Sequence, residues 1–191
     1  MDRAQQGANL TLPEGTRFQI TFQAADCLAK ELEQEIRTLD HLAFSESGEE
    51  DNYIEWAMSS TWYVLGRLDG RLVSQIGILE RAIQAGGQTL SIAGVGGVAT
   101  HPEFQRRGFA KVLLQAAAEQ MRQRGGYDFA LLFCDTHMIP YYTKRGYCLV
   151  HNPLYILQSG QRVFFEDNKM VLPLSGKPWP EGEVDVNGPP W

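Results

Sequence analysis

Positive charge is in short supply in this chain. Its 191 residues hold 17 Lys and Arg against 23 Asp and Glu, a formal charge of −6. Nucleic-acid binders take much of their affinity from Lys and Arg that neutralise phosphates, so this balance argues against that class. An acidic surface suits a cationic small molecule instead, which it concentrates. Cysteine is also rare: Cys27, Cys134 and Cys148 are odd in number and form no CxxC pair, which argues against a disulfide framework and a zinc ribbon. His41, His101, His137 and His151 show neither HxxxH nor HExxH spacing, and no metal is expected. No stretch approaches the roughly 18 apolar residues of a membrane span. Residues 1–13 lack the charged-then-apolar order of a signal peptide. The expectation is a cytoplasmic protein with no membrane partner.

What is present is ordinary globular material, 43% apolar and 21% charged. Phe18, Ile20 and Phe22 alternate as in a strand. Asp26 reads as a cap for a helix whose apolar face is Leu28, Leu32, Ile36 and Leu39. An acidic loop, 44–52, follows, then a short helix over 53–58. Strands over 62–68 and 71–83 are joined by Asp69-Gly70, the dipeptide of a two-residue hairpin. Ala85-Gly86-Gly87 turns the chain into a third strand, 88–100. Its Gly94, Gly96 and Gly97 mark a bulge or a close approach by another group. A helix is predicted from about Arg107 to Arg124, a strand over 129–133, a short helix over 139–145, and strands over 148–157 and 169–174. The strand–helix–strand passage 88–133 places its two strands parallel. The fold class is α+β, with a mixed, mostly antiparallel sheet flanked by helices. Residues 1–15 read as a flexible tail, 16–174 as one domain and 175–191 as an extended Pro-rich tail that packs over a cleft.

The chemistry is concentrated in Val98-Ala99-Thr100-His101-Pro102-Glu103-Phe104-Gln105-Arg106-Arg107-Gly108-Phe109-Ala110. A strand runs into a loop and then a helix start. The first turn of a helix leaves about four N–H groups without intrahelical acceptors and carries the positive end of the dipole. That is a phosphate site. Gly108 and Ala110 keep the approach small, and Arg106 and Arg107 supply guanidinium donors. Neither GxxxxGK[ST] nor a GxGxxG between strand and helix is present, so the pattern is not a P-loop or a dinucleotide fingerprint.

Gln105-Arg106-Arg107-Gly108-Phe109-Ala110 matches the Q/R-x-x-G-x-G/A signature of the GNAT acetyltransferase superfamily. Tyr141-Tyr142-Thr143-Lys144-Arg145-Gly146-Tyr147 is similar to that family's second element, Y-x-x-x-G-[FYW]. The resemblance extends over about residues 17–174. Gly97-Val98-Ala99, Arg145-Gly146, the 170–174 segment and a last residue Trp191 look like the aminoglycoside 2′-N-acetyltransferase branch. That branch carries glutamate where this chain has Gly96, and an acidic residue where it has Pro189.

The resemblance implies a GNAT-type domain that binds acetyl-CoA at a splayed central strand and acetylates the primary amine of a small molecule. Val98, Ala99 and Thr100 would line the pantetheine arm, with the Val98 N–H on the thioester carbonyl. The N–H groups of Arg106, Arg107, Gly108, Phe109, Ala110 and Lys111 would hold the pyrophosphate, with Gln105 among the cofactor-binding residues. Tyr142 would donate to the departing thiolate. For the base, Glu80 and Asp135 are candidates beside His101, His137 and a water chain. Glu166, Asp167, the loop acids Glu49, Glu50 and Asp51, and the ring and carboxylate of Trp191 are candidates for holding the acceptor. A longer-chain acyltransferase and a non-catalytic acyl-CoA sensor are the alternatives. A homodimer is compatible with the resemblance.

Overall fold

Short alternating segments dictate most of the architecture, seen here in a computed structural model that describes residues 8–11, 17–44, 54–57 and 60–191. β1 (Ala8–Thr11) pairs antiparallel with β2 (Arg17–Ala24), so part of the stretch expected to be a flexible tail is a sheet edge. A 3₁₀ turn at Ala25–Cys27 follows, closed by Leu28 N–H on the Ala25 carbonyl at 3.3 Å. That turn takes up Asp26, and α1 (Lys30–Phe44) starts later than an Asp26 cap would place it. β3 (Trp62–Leu68) and β4 (Arg71–Ala85) are joined by Asp69 and Gly70, whose φ values of 48° and 88° suit the predicted hairpin. Gly86 and Gly87 lead into β5 (Gln88–Thr100), and α2 (Phe109–Arg124) carries the chain to β6 (Phe129–Cys134). After α3 (Ile139–Thr143) come β7 (Cys148–Val150), β8 (Leu154–Gln158), β9 (Gln161–Phe164), β10 (Asn168–Pro173) and β11 (Val184–Asp185). The predicted strand over 148–157 is thus two strands, parted before Pro153, which has no N–H for a ladder. Residues 54–57 are not helical; the rest of the predicted 53–58 helix and Glu49, Glu50 and Asp51 lie outside the described residues.

The chain divides into two compact units, with the breaks falling inside β4, β5 and α2. In the first, β1, β2, β3 and the start of β4 form an antiparallel ladder. Ile36 and Leu39 of α1 pack with Leu65, Leu72 and Ala99, with Leu28 and Leu32 at the border. Burying such a side chain stabilises by about 1.5–3 kcal/mol. Facing the other way, Phe18 meets Phe109 of α2 at 4.7 Å between ring centres. Gly66 makes room here: a Cβ there would stand 2.6 Å from the Phe18 ring and 2.9 Å from Leu113, which would have to shift.

In the second unit, β5 and β6 are parallel, as the strand–helix–strand order requires, and β10 lies antiparallel between β6 and β7. β11 pairs antiparallel with the end of β4 and parallel with β8, which forms a hairpin with β9. The core here includes Ile83, Leu90, Ile92, Phe129, Leu131, Ile156 and Val184. The Pro-rich terminal segment is tied down by the β11 ladder and by Arg81, which donates to the Pro189 carbonyl at 2.7 Å.

Candidate functional site

Near its end β5 passes through a left-handed glycine. Gly97 has φ 53° and is exposed, Val98 is half-buried and Ala99 is buried. Past Gly97, the strand is fastened to β4: Ser74 Oγ donates to the Ala99 carbonyl at 2.8 Å and lies 2.9 Å from Thr100 Oγ1. The His101 N–H reaches the Val73 carbonyl at 2.9 Å. His101, considered as a base, is engaged at both ring nitrogens: Nδ1 accepts from the Glu103 N–H at 3.3 Å, and Nε2 lies 2.8 Å from Arg71. It therefore serves as the cap of the 3₁₀ turn Pro102–Phe104.

The loop then prepares the start of α2. Gln105 donates to the Thr100 carbonyl at 3.3 Å, and Arg106 takes φ 62°. The Arg107 guanidinium stands 5.3 Å from the centre of the Phe104 ring. The helix begins at Phe109, two residues later than predicted, because Gly108 at φ 87° is non-helical; its carbonyl accepts the first helical bond, from Val112 at 3.1 Å. Gly108 thus sits at the cap with no side chain to bond the N–H groups of Phe109, Ala110 and Lys111. Nothing lies within 4 Å of where its Cβ would be. Gly108, Arg106 and Arg107 are exposed. This open, donor-rich mouth fits an oxyanion such as a pyrophosphate.

One further carboxylate of this first unit was not anticipated. Asp40 of α1 accepts from Gln75 Nε2 at 2.5 Å, and its Oδ1 is 3.9 Å from the position of a Cβ on Gly97. Burial pushes its carboxyl up to about 6, against a smaller lowering by the Gln75 bond. A signal was present in the sequence: 28, 32, 36 and 40 are equally spaced, so the stripe ended in an acid.

The second unit holds the other predicted residues. Tyr142 of α3 is buried against Tyr141 and Tyr147, with ring centres at 5.2 and 5.8 Å. Burial raises its phenol well above the usual range, with Cys134 and Tyr141 adding to the rise and Arg145 opposing it. It therefore keeps its proton at neutral pH and is a donor. Arg145 stacks on Tyr141, 3.3 Å from the ring centre. Glu80, considered as a base, accepts from the Tyr127 hydroxyl and pairs with Arg124 at 3.7 Å. Asp135 is exposed, with His137 at 3.9 Å. Glu166 and Asp167 are exposed before β10. Trp191 lies flat on β5: a Cβ on Gly94 would stand 2.6 Å from its Nε1, which donates to the Leu131 carbonyl at 3.3 Å. Arg81 covers its ring at 5.4 Å, so the aromatic face meant for a substrate cation already carries one. Among the described residues no group of His, Cys, Asp and Glu is arranged to hold a metal, and no helix is long and apolar enough to cross a membrane.

The sequence profile of the family described as acetyltransferase (GNAT) domain matches residues 26–150. A search of curated proteins finds no match. Among solved structures, a GNAT family acetyltransferase from Brucella melitensis in complex with acetyl-CoA aligns at TM-score 0.59 and 19% identity, over 86% of this chain and 94% of that one. An acyl-CoA N-acyltransferase from Pseudomonas aeruginosa aligns at 0.57 and 14%, over 81% and 99%. A conserved protein from Enterococcus faecalis V583 aligns at 0.54 and 18% over 73% of this chain, which spans only 33% of its length. At these identities the alignments speak for the fold.

Proposed function

The chain belongs to the GNAT acetyltransferase family and is an acyltransferase, and from that premise we propose that it moves an acetyl group from acetyl-CoA to the primary amine of a small, cationic acceptor by direct attack. One observation carries the reading. The start of α2 offers main-chain N–H groups beside an exposed Gly108 at φ 87°, with Arg106 and Arg107 next to it. A diphosphate needs donors, positive potential and room, and all three are there.

The roles follow from the groups present. The N–H groups from Arg106 to Lys111 hold the diphosphate, while the Gln105 N–H is spent on the Pro102 carbonyl at 3.3 Å. Val98, Ala99 and Thr100 line the pantetheine arm, and the Val98 N–H stabilises the oxyanion that develops on the thioester carbonyl. Tyr142, protonated at neutral pH, gives its proton or a hydrogen bond to the departing thiolate. The net charge of −6 and the exposed Glu166 and Asp167 favour a cationic acceptor over an anionic one. Gly96 and Pro189 stand where the aminoglycoside 2′ branch has acids, so the acceptor class proposed is a small primary amine rather than that branch's substrate alone.

The test is thiol release from acetyl-CoA with a panel holding a polyamine, an amino sugar and an aminoglycoside. Cys27 and Cys148 are exposed and must first be titrated with the thiol reagent. Amine-dependent release is expected. Tight acetyl-CoA binding with no release above hydrolysis would instead identify a sensor.

A further inference from the structure

The helical period carries Asp40 to the packed side of α1. Ile36 lies one turn before it, and Ile36 and Leu39 are buried at 4% and 3% exposure. The half-buried carboxylate is therefore drawn toward β4 and Gly97 of β5. Its hydrogen-bond partner there is Gln75, 1% exposed, through Nε2 at 2.5 Å. No charged neighbour on α1, β4 or β5 acts on it among the described residues; burial and the Gln75 bond are what do. A buried carboxylate kept for stability carries a cation or several donors. Asp40, half-buried, has a single neutral donor among the described residues.

Gln75 adds a second, independent sign. Its Nε2 points at the carboxylate, which fixes the amide orientation, and its Oε1 is buried without a hydrogen-bond partner among the described residues. An orphaned buried acceptor is costly. The orphan leaves the Gln75 amide with no partner but the carboxylate to hold it, and the remaining lone pairs of Asp40 are acceptors for a primary ammonium, which brings three donors. The place also fits. Asp40 Oδ1 and the Gly77 nitrogen are each 3.9 Å from where a Gly97 Cβ would stand, and Gly97 directly precedes Val98.

We propose that Asp40 is the base that takes the proton from the acceptor amine, held beside Gly97 by Gln75; this rests on the acetyl-transfer reading above. The ammonium gives one proton to the Asp40 carboxylate, which passes it to solvent. The freed nitrogen lone pair attacks the thioester carbon and forms the C–N bond. The intermediate collapses, the C–S bond breaks, and the electron pair leaves on sulfur. The second proton lost from nitrogen balances the one gained by the thiolate, so one proton is released per turnover. A carboxyl pushed up to about 6 by burial is ionised at neutral pH yet a better proton acceptor than an exposed one.

The experiment is the pH profile of kcat/KM, using the panel amine that wild type acetylates fastest, for wild type, Asp40→Asn and Gln75→Met. Acetyl-CoA binding is measured by calorimetry on each. Wild type should rise with pH along a limb near 6. Asp40→Asn should lose that limb and fall by about 10²-fold or more at neutral pH, with acetyl-CoA affinity unchanged. Gln75→Met removes the bond that holds the carboxyl down, so its limb should move to higher pH. If Asp40→Asn keeps the wild-type profile, Asp40 is removed and acetyl transfer stands. If wild type binds acetyl-CoA and releases no thiol with any amine, both are overturned.

Discussion

At the residue scale, two side chains carry separate expectations. Folding favours the protonated form of Asp40, because its native pKa of about 6 lies above the ordinary 3.8. The stability attached to that proton is fully present below 3.8 and is lost as pH rises through 6. Asp40→Asn is neutral throughout. It should therefore melt higher than wild type at pH 7, with the gain shrinking as pH falls toward 4. Thermal melts at the two pH values decide, and a lower melting temperature at pH 7 would mark Asp40 as a structural residue. Tyr142→Phe keeps the packing against Tyr141 and Tyr147 and loses only the donor. It should lower kcat by about 10²-fold or more and leave acetyl-CoA affinity in place; wild-type turnover would remove Tyr142 from the reaction. Tyr142 was legible because it stands at a fixed position in a local pattern. The position of Asp40 was readable from its helical spacing but its role was not, since that depends on Gln75, 35 residues away, and on Gly97. Glu80 shows the converse: its candidacy came from its strand, but the fold gives it Tyr127 and Arg124 as partners.

At the scale of elements, the glycines of β5 announced that something approaches closely, but not what. The partner of Gly94 is Trp191, which packs against Phe133 at 4.9 Å and under Arg81. A contact between residues so far apart in sequence leaves no local trace. It can be measured as a coupling. Gly94→Ala should cost about 1–3 kcal/mol, the usual penalty of overpacking. Trp191→Ala should cost up to about 3–5 kcal/mol. In the Trp191→Ala background the Gly94 substitution should become nearly neutral, because the clash is gone. Chemical denaturation of the four proteins gives the cycle, and simple additivity would refute this packing. The start of α2 was misjudged by two residues for a related reason. Periodicity alone cannot see that Gly108 takes φ 87° and stays outside the helix.

At the scale of the whole molecule, the α+β class and its mixed sheet were readable because hairpin turns, strand alternation and the 88–133 crossover are local signals. The insertion of β10 between β6 and β7, the edge strand β1, and the β11 pairing with both β4 and β8 were not, since they are set by contacts distant in sequence. The functional reading depends on a single recognition event, the seating of a diphosphate on the main chain before α2. Calorimetric titration of acetyl-CoA into the wild-type protein and into Gly108→Glu tests it. The variant should fold, because Gly108 is exposed with open space at its Cβ position, and the left-handed φ adds strain of only about 1–2 kcal/mol. Wild type should give saturable one-to-one heat, and Gly108→Glu none, with matching circular dichroism. No heat from wild type at millimolar acetyl-CoA, or equal binding by the variant, would contradict the account.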